Sequence, residues 1–169
     1  MKVISSSIVN GQYEERFGKR GADIGKFGMP TRSIPVQISD YPEETKTFAL
    51  FLEDKDSIPV CGFAWIHWLV ANLKRDTLEE NESVSATDFI QGVNSLYNGL
   101  NNPPDGPQRL EVSNYVGMAP PDRPHTYELH VFALDTELEL EQGFYWNELY
   151  HAMQGHILAQ TTIGAIYES

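Results

Sequence analysis

Two apolar segments that lie close together in the chain restrict its possible folds more than any other feature. The first is TFALFL, residues 47–52, and the second is FAWIHWLVA, residues 63–71. Acidic residues at positions 53, 54 and 56 begin the connection between them, and Pro59 and Gly62 lie near its end. Apolar runs of this length bounded by turn residues predict strands. Because the second run is apolar on both faces, we expect a central strand covered on both sides.

His67 lies in the middle of the second apolar segment. An imidazole in such surroundings needs a hydrogen-bond partner, and we expect Asp54 or Asp56, at the end of the neighbouring strand, to supply it. An isolated histidine is more often a satisfied core residue than a ligand-binding one. His67 by itself therefore predicts no function.

The charge of the chain argues against several classes of partner. Among 169 residues, 24 are acidic and 12 are basic, a formal net charge of -12. Such a surface repels phosphate backbones and anionic lipids, so we expect no nucleic acid partner. No segment has the apolar length of a signal peptide or a membrane span, and the single cysteine, Cys61, cannot form a disulfide within the chain. We expect one cytoplasmic domain without stable membrane insertion.

The remaining segments predict further strands, one helix and a long loop. Residues 126–134 and 161–167 alternate as strands do. Residues 144–158 have helical spacing and an apolar stripe. The stripe consists of Trp146, Leu149, Tyr150, Met153 and Ile157. Residues 79–107 lack such a stripe and predict a long inserted loop, ordered by the sheet or by a second subunit. The predicted fold class is mainly β, an antiparallel β-sandwich with one helix in the C-terminal region.

A second polar cluster begins with YVGMAPP, residues 115–121. Gly117 and the proline pair predict an irregular backbone whose free amides can converge on an anion. His125 and Tyr127 follow at i and i+2, on one face of the next strand. This cluster offers hydrogen-bond donors without net positive charge.

The chain carries four spaced motifs in order: Asp-x-Asp at a strand end, WxHWxVxN from Trp65, GxxPP before HxY, and a strand ending in ALD. These motifs, in this order, resemble the phosphatidylethanolamine-binding protein family. The segment AMxGHxLA, which begins at Ala152, is similar to the prokaryotic Raf-kinase-inhibitor-like branch. Several spaced motifs over most of the chain make the resemblance specific.

The resemblance implies a sandwich of two sheets with a small anion pocket at one end, where phosphate or a phospholipid headgroup binds. The residues implied for this pocket are Asp54, Asp56, His67, Ala119, Pro120, His125 and Tyr127. Three positions depart from the family pattern: Lys55 stands for proline, Thr126 for arginine and Ala119 for glycine. We expect these changes to affect the choice of ligand, and a flexible Lys55 can add a phosphate contact.

The function predicted from the sequence is non-enzymatic binding of a phosphate-bearing small molecule or phospholipid headgroup. The alternative is a protein-interaction module that inhibits a kinase or a protease, and a homodimer remains open. A hydrolase built on Asp54 and His67 lacks a clear nucleophile. His151 and His156 are five residues apart, which does not suit a metal pair on one helix face. We expect neither metal nor cofactor.

We also expect ligand binding to depend on pH. Within the implied pocket only His67 and His125 titrate near neutrality, and an adjacent aspartate would favour the protonated form of His67. Affinity for a phosphate should then increase as pH falls toward the histidine range.

Overall fold

A computed structural model describes residues 1–98 and 106–169 of the chain. Strands make up most of the regular structure in this part, and they are numbered in chain order. They are β1 (Lys2–Ile4), β2 (Ile8–Val9), β3 (Gln12–Tyr13), β4 (Val36–Ser39), β5 (Thr47–Asp54), β6 (Trp65–Leu73), β7 (Thr77–Leu78), β8 (Ile90–Gln91), β9 (His125–Leu134) and β10 (Ile157–Tyr167).

Helices contribute little to the described residues. The α-helices are α1 (Ile58–Cys61) and α2 (Trp146–Ala152). Short 3-10 helices cover Glu15–Phe17, Glu82–Val84 and Arg109–Val112. None of the helices described has the length and apolar character needed to cross a membrane.

The strands form two sheets. The larger has seven strands in the order β2-β3-β10-β9-β5-β6-β8, and the smaller has the order β1-β4-β7. The named pairs are antiparallel except for the short pairing of β10 with β3. The prediction of a mainly β protein with two sheets and a helix near the C-terminus is confirmed.

The core explains why the central strands are apolar on both faces. Between the sheets, Ile38 of β4 packs in one cluster with Leu50 of β5 and Val70 of β6. On the opposite face of the large sheet, Leu69 of β6 packs with Leu149 of α2. Each such side chain contributes roughly 1.5–3 kcal/mol when fully buried. The expected covering of the central strands on both sides is therefore present.

The C-terminal helix is shorter than the sequence predicts. It ends at Ala152, and Ile157, expected in its last turn, is instead the first residue of β10. Gly155 has a φ of +81°, in the left-handed region that favours glycine, and there the chain turns back toward the sheet. Met153 is buried but Ile157 is exposed. The prediction of a helix over residues 144–158 was thus wrong in its last turns.

The predicted loop, residues 79–107, is partly regular. It contains the 3-10 helix Glu82–Val84 and strand β8, which pairs with Val70 and Ala71 of β6. The Trp68 indole also donates a hydrogen bond of 2.7 Å to the buried Gln91 side chain. Contacts with the large sheet therefore order this part of the loop. Residues 99–105, which include most of the NNPPDGP run, lie outside the described residues.

A β-bulge in β6 determines the side to which His67 points. Leu52 of β5 pairs with Trp68, and Glu53 pairs with Ile66, so His67 has no partner in this register. An inserted residue of this kind shifts the alternation of side chains by one position. Ile66 packs on the α2 side of the sheet. His67 lies on the opposite side, like Trp68 in the core between the sheets.

Candidate functional site

A cavity of about 140 Å³ lies where three neighbouring strands of the large sheet begin or end. Asp54 is the last residue of β5, and it pairs with Trp65 of β6 on one side and Tyr127 of β9 on the other. The antiparallel register therefore gathers residues that are far apart in the chain. The lining residues are Met29, Asp54, Ser57, Val60, Cys61, Trp65, His67, Ala119, Pro121, His125 and Tyr127.

The turn after β5 holds Asp54 in place. Its Oδ1 atom accepts a hydrogen bond of 3.1 Å from the backbone N–H of Ser57. The Ser57 hydroxyl lies 2.6 Å from the carbonyl oxygen of Asp54 and accepts a 2.9 Å hydrogen bond from the Trp65 amide. A side-chain oxygen that accepts from the backbone three residues on is a common way to stabilise such turns. These bonds orient the Asp54 carboxylate at the strand end.

His125 lies between two carboxylates. Its Nδ1 atom is 2.7 Å from Oδ2 of Asp54, and its Nε2 atom is 2.9 Å from Oδ1 of Asp122. Ionised carboxylates only accept hydrogen bonds, so both ring nitrogens must donate. Although partial desolvation opposes it, the hydrogen bond from His125 lowers the pKa of Asp122. His125 is buried, and this charged group is paired on both sides.

His67 is held by a backbone carbonyl and not by an aspartate. Its Nδ1 atom lies 2.8 Å from the carbonyl oxygen of Val116, which can only accept, so Nδ1 carries the hydrogen. The expectation that Asp54 or Asp56 bonds to His67 was wrong. Burial lowers the pKa of His67 to about 4. The ring is therefore neutral near pH 7, and its Nε2 atom is a hydrogen-bond acceptor.

Two buried donors at the cavity make no hydrogen bond of standard geometry within the described residues, although one of them, the Tyr127 hydroxyl, lies near the Asp54 carboxylate and the Ala119 amide. They are the hydroxyl of Tyr127 and the indole N–H of Trp65. Burial, together with the nearby Asp54 carboxylate, raises the pKa of Tyr127 far above its usual value, so the hydroxyl keeps its proton. A buried polar group without a partner costs about 1–3 kcal/mol, and such groups are rare in folded proteins. These two donors mark the cavity as a place where a polar ligand gains hydrogen bonds.

The structure brings together five of the seven residues implied by the family resemblance. Asp54, His67, Ala119, His125 and Tyr127 line the cavity, whereas Asp56 and Pro120 are not among its lining residues.

The two other implied residues have structural contacts nearby. Asp56 accepts hydrogen bonds from the Thr126 amide at 2.9 Å and from Arg123 at 3.1 Å, which ties the turn after β5 to the start of β9. The Pro120 carbonyl oxygen accepts from Nζ of Lys19 at 2.6 Å.

Two amides of the irregular segment around Gly117 are used within the fold, whereas the convergence of other amides, such as that of Ala119 at the cavity, on an anion stays a prediction. The Val116 amide donates to the His67 carbonyl at 2.9 Å, and the Gly117 amide donates to the Pro30 carbonyl at 2.8 Å. A Cβ atom on Gly117 would lie 2.4 Å from the carbonyl oxygen of Phe17. Gly117 is therefore required for close packing of the backbone.

Lys55 lies on the other face of the strand ends and does not line the cavity. Its ammonium group pairs with Glu128 and, at 3.1 Å, with Glu53. The expectation that Lys55 adds a phosphate contact is not met in this arrangement. Potential ligand atoms of Glu53, Glu128 and His130 lie within 4.8 Å of one another, and Lys55 supplies the positive charge there.

Sequence reasoning missed several lining residues. Trp65 could have been found, because it precedes His67 by two positions, and Pro121 belongs to the proline pair already noted. Cys61 is exposed at the cavity. Met29 comes from a glycine-rich segment that carries no periodic signal.

The comparison with known families agrees with this geometry. The model of the phosphatidylethanolamine-binding protein family matches residues 4–168. The chain belongs to the phosphatidylethanolamine-binding protein family. Its relatives include YxkA of Bacillus subtilis, 46% identical over 142 residues that cover 80% of this chain and 81% of YxkA. A Chlamydia muridarum protein of the UPF0098 group is 35% identical over 141 residues, covering 80% of this chain and 82% of the relative.

Solved structures of this family share the fold. A phosphatidylethanolamine-binding protein homologue from Chlamydia trachomatis superposes with a TM-score of 0.77 at 28% identity, covering 99% of this chain and 96% of the other. YbcL of Escherichia coli gives a TM-score of 0.76 at 24% identity, covering 99% and 98%. The sandwich and the position of its strands are therefore features of the phosphatidylethanolamine-binding protein family.

Proposed function

We propose that this phosphatidylethanolamine-binding protein binds the phosphate group of a small molecule or headgroup in the cavity, in its singly protonated form and without turnover. The observation that carries the proposal is a pair of buried donors at the cavity that make no hydrogen bond of standard geometry, the Tyr127 hydroxyl and the Trp65 indole N–H. Phosphate oxygens accept hydrogen bonds from both kinds of donor. Bound phosphate would give both donors a hydrogen bond of good geometry.

The charges around the cavity favour a phosphate that keeps one proton. His125 shares one positive charge between Asp54 and Asp122, and neutral His67 adds no charge. Arg123 pairs at the exposed rim with Asp56 and Asp122. A dianion would be repelled by the buried Asp54 carboxylate. A P–OH group, in contrast, can donate a hydrogen bond to Nε2 of His67. This reverses our expectation that protonated His67 attracts the anion.

The size of the cavity suits one compact group. An engineered apolar cavity of about 150 Å³ holds one benzene molecule. The volume of about 140 Å³ is of the same order, which is enough for a phosphate with its first substituent atoms.

The side chains at the cavity do not favour hydrolysis. Both ring nitrogens of His125 are occupied by carboxylates, so neither is free to accept a proton. With a pKa of about 4, His67 is a weak general base at neutral pH. The Ser57 hydroxyl is held by backbone groups of Asp54 and Trp65. We therefore propose binding as the function.

Protein inhibition is a second candidate, favoured by one feature of the cavity rim. Helix α1 exposes Ile58 and Val60, with 49% and 47% of their surface accessible, and Val60 also lines the cavity. Exposed apolar residues beside a binding site are typical of contact surfaces. Under this alternative the rim engages a kinase or a protease.

Calorimetric titration with inorganic phosphate, phosphoethanolamine and sulfate at pH 5.5 tests the proposal. Sulfate has the same shape but no proton at this pH, so we expect it to bind at least tenfold more weakly than phosphate. A parallel assay with p-nitrophenyl phosphate should release no nitrophenol. Absence of phosphate binding would overturn the proposal. If sulfate bound as tightly as phosphate, the proposed preference for a protonated ligand would be wrong. If the protein released nitrophenol, the proposal that it binds phosphate without turnover would be wrong.

A further inference from the structure

A second, larger cavity adjoins the first. Its volume is about 350 Å³, and Met29 lines both cavities. The second cavity is lined by Gly25, Lys26, Phe27, Met29, Pro30, Thr31, Leu96, Glu111, Val112, Asn114, Tyr115 and Val116.

Val116 lies between the two cavities. Its carbonyl oxygen accepts the hydrogen bond of His67 at the first cavity, and the same residue lines the second. Met29 is half-buried between them. A methionine side chain has three rotatable bonds and adapts easily to a neighbouring group. A change in the Met29 side-chain conformation would let a single molecule extend from one cavity into the other.

Among the described residues, the polar side chains that line the second cavity already have partners. Nζ of Lys26 lies 2.6 Å from the Glu111 carboxylate at the rim. The side-chain Nδ2 atom of Asn114 donates to the Glu111 backbone carbonyl at 3.1 Å, and the Tyr115 hydroxyl donates to the Phe17 backbone carbonyl at 3.0 Å. The surface left for contact is mainly apolar, from Phe27 and other aliphatic or aromatic side chains. Such a surface gains most from burial of an uncharged organic group.

The volumes of the two cavities also favour an organic group in the second cavity. Sites for small organic ligands usually enclose roughly 300–1,000 Å³. The first cavity, about 140 Å³, is below this range, whereas the second, about 350 Å³, is within it. The first cavity alone has room for the phosphate group but not for a larger molecule attached to it.

We propose that the second cavity holds the uncharged aryl or alkyl substituent of the same ligand whose phosphate occupies the first cavity. This rests on the proposed function and narrows it to phosphate monoesters of apolar alcohols or phenols. Free inorganic phosphate and short polar headgroups would then be weaker ligands, because they leave the second cavity without contacts.

Calorimetry with inorganic phosphate, phenyl phosphate and 1-naphthyl phosphate at pH 5.5 tests this inference. We expect affinity to rise at least tenfold from inorganic phosphate to phenyl phosphate, and to rise again for the naphthyl ester. The variant Asn114→Trp places a bulky ring in the second cavity alone, so it should abolish this gain and leave inorganic phosphate binding within twofold. The control Glu139→Trp adds the same ring at an exposed position away from both cavities and should keep the gain.

A second measurement does not depend on the folding of a variant. In protein with 13C-labelled methionine methyl groups, the aryl protons of bound naphthyl phosphate should show nuclear Overhauser contacts to the methyl group of Met29. If no phosphate binds, the proposed function and this inference both fail. If phosphate binds but the esters gain nothing, or keep their gain in Asn114→Trp, or show no contact to Met29, only this inference is overturned.

Discussion

The Asp54 carboxylate accepts a hydrogen bond of 2.7 Å from Nδ1 of His125, and both side chains are buried. The partner of Asp54 therefore comes from β9, seventy-one positions further along the chain, and not from β6 as we expected. His125 acts on the cavity mainly by positioning Asp54 and offsetting part of its negative charge, because neither of its ring nitrogens is free to donate to a ligand. This relationship predicts the outcome of substitutions at the pair.

His125→Ala should lower the free energy of unfolding by about 3–5 kcal/mol, because it leaves a buried carboxylate without its partner. Urea denaturation at pH 7 measures this loss. The control Asp122→Asn removes the exposed partner of the same ring and should cost much less stability than His125→Ala, because solvent screens an exposed pair. If the two variants lost the same free energy of unfolding, the buried Asp54–His125 pair would contribute no more to stability than the exposed Asp122–His125 pair.

Tyr127→Phe should affect stability and binding in opposite directions. It removes a buried hydroxyl that makes no hydrogen bond of standard geometry, so the free protein should keep its stability or gain about 1 kcal/mol. Phosphate binding should weaken by about 1.5–3 kcal/mol, the scale of a hydrogen bond to a charged group. Denaturation and calorimetry measure the two effects.

Tyr13→Phe is the matched control for this prediction. Tyr13 also has a buried hydroxyl without a partner, but it does not line the cavity. We expect the same neutral or positive change in stability and no change in phosphate affinity. If both variants lost affinity equally, the Tyr127 hydroxyl would not be a ligand contact.

The stability of the protein should fall as pH decreases from 6.5 to 4, partly because of His67. Burial lowers the pKa of His67 to about 4 in the folded state, from 6.5 when exposed. Between these values the unfolded chain binds the proton and the folded chain does not, so acid favours unfolding. The folded protein has the full unfolding free energy associated with neutral His67 above pH 6.5. This free energy decreases by about 3 kcal/mol when the pH reaches 4.

The variant His67→Gln isolates this contribution, since glutamine can donate to the Val116 carbonyl but does not titrate. Its unfolding free energy should decline less steeply over this pH range than that of the original protein. Carboxylates such as Asp56, whose pKa is lowered mainly by the Thr126 amide, lose their stabilisation at lower pH in both proteins. His151→Gln, at an exposed position, should leave the slope unchanged.

Affinity for phosphate monoesters should decrease as pH rises from 5 to 7.5, because the ligand loses its second proton with a pKa of about 6. His67 cannot cause this trend, since its pKa is about 4. Calorimetry across this pH range tests the cause as well as the trend. A phosphonate with a higher second pKa should show the same profile displaced to higher pH. Identical profiles for the two ligands would instead assign the titration to the protein.

The sequence alone determined the main features of the fold. Alternation identified β9, and the apolar runs identified β5 and β6, because burial of one or both faces of a strand must appear as a pattern in the residues themselves. The same kind of pattern was misleading at Ile157, since an apolar residue at a helical interval serves equally well in a strand. Gly155 was the local signal that the helix ends before it.

For the site, the spaced motifs indicated which residues to consider, and five of the seven line one cavity. Only the tertiary structure decided what each of them does. The bulge that turns His67 toward the cavity depends on the register between β5 and β6, which the local alternation of β6 does not contain. The bond from His67 to Val116, the bond from Asp54 to His125 and the exclusion of Asp56 from the cavity likewise depend on contacts between distant segments. The periodicity of the sequence predicts whether a side chain is buried. Its hydrogen-bond partner depends on which distant segments pack against it, and only the tertiary structure shows this.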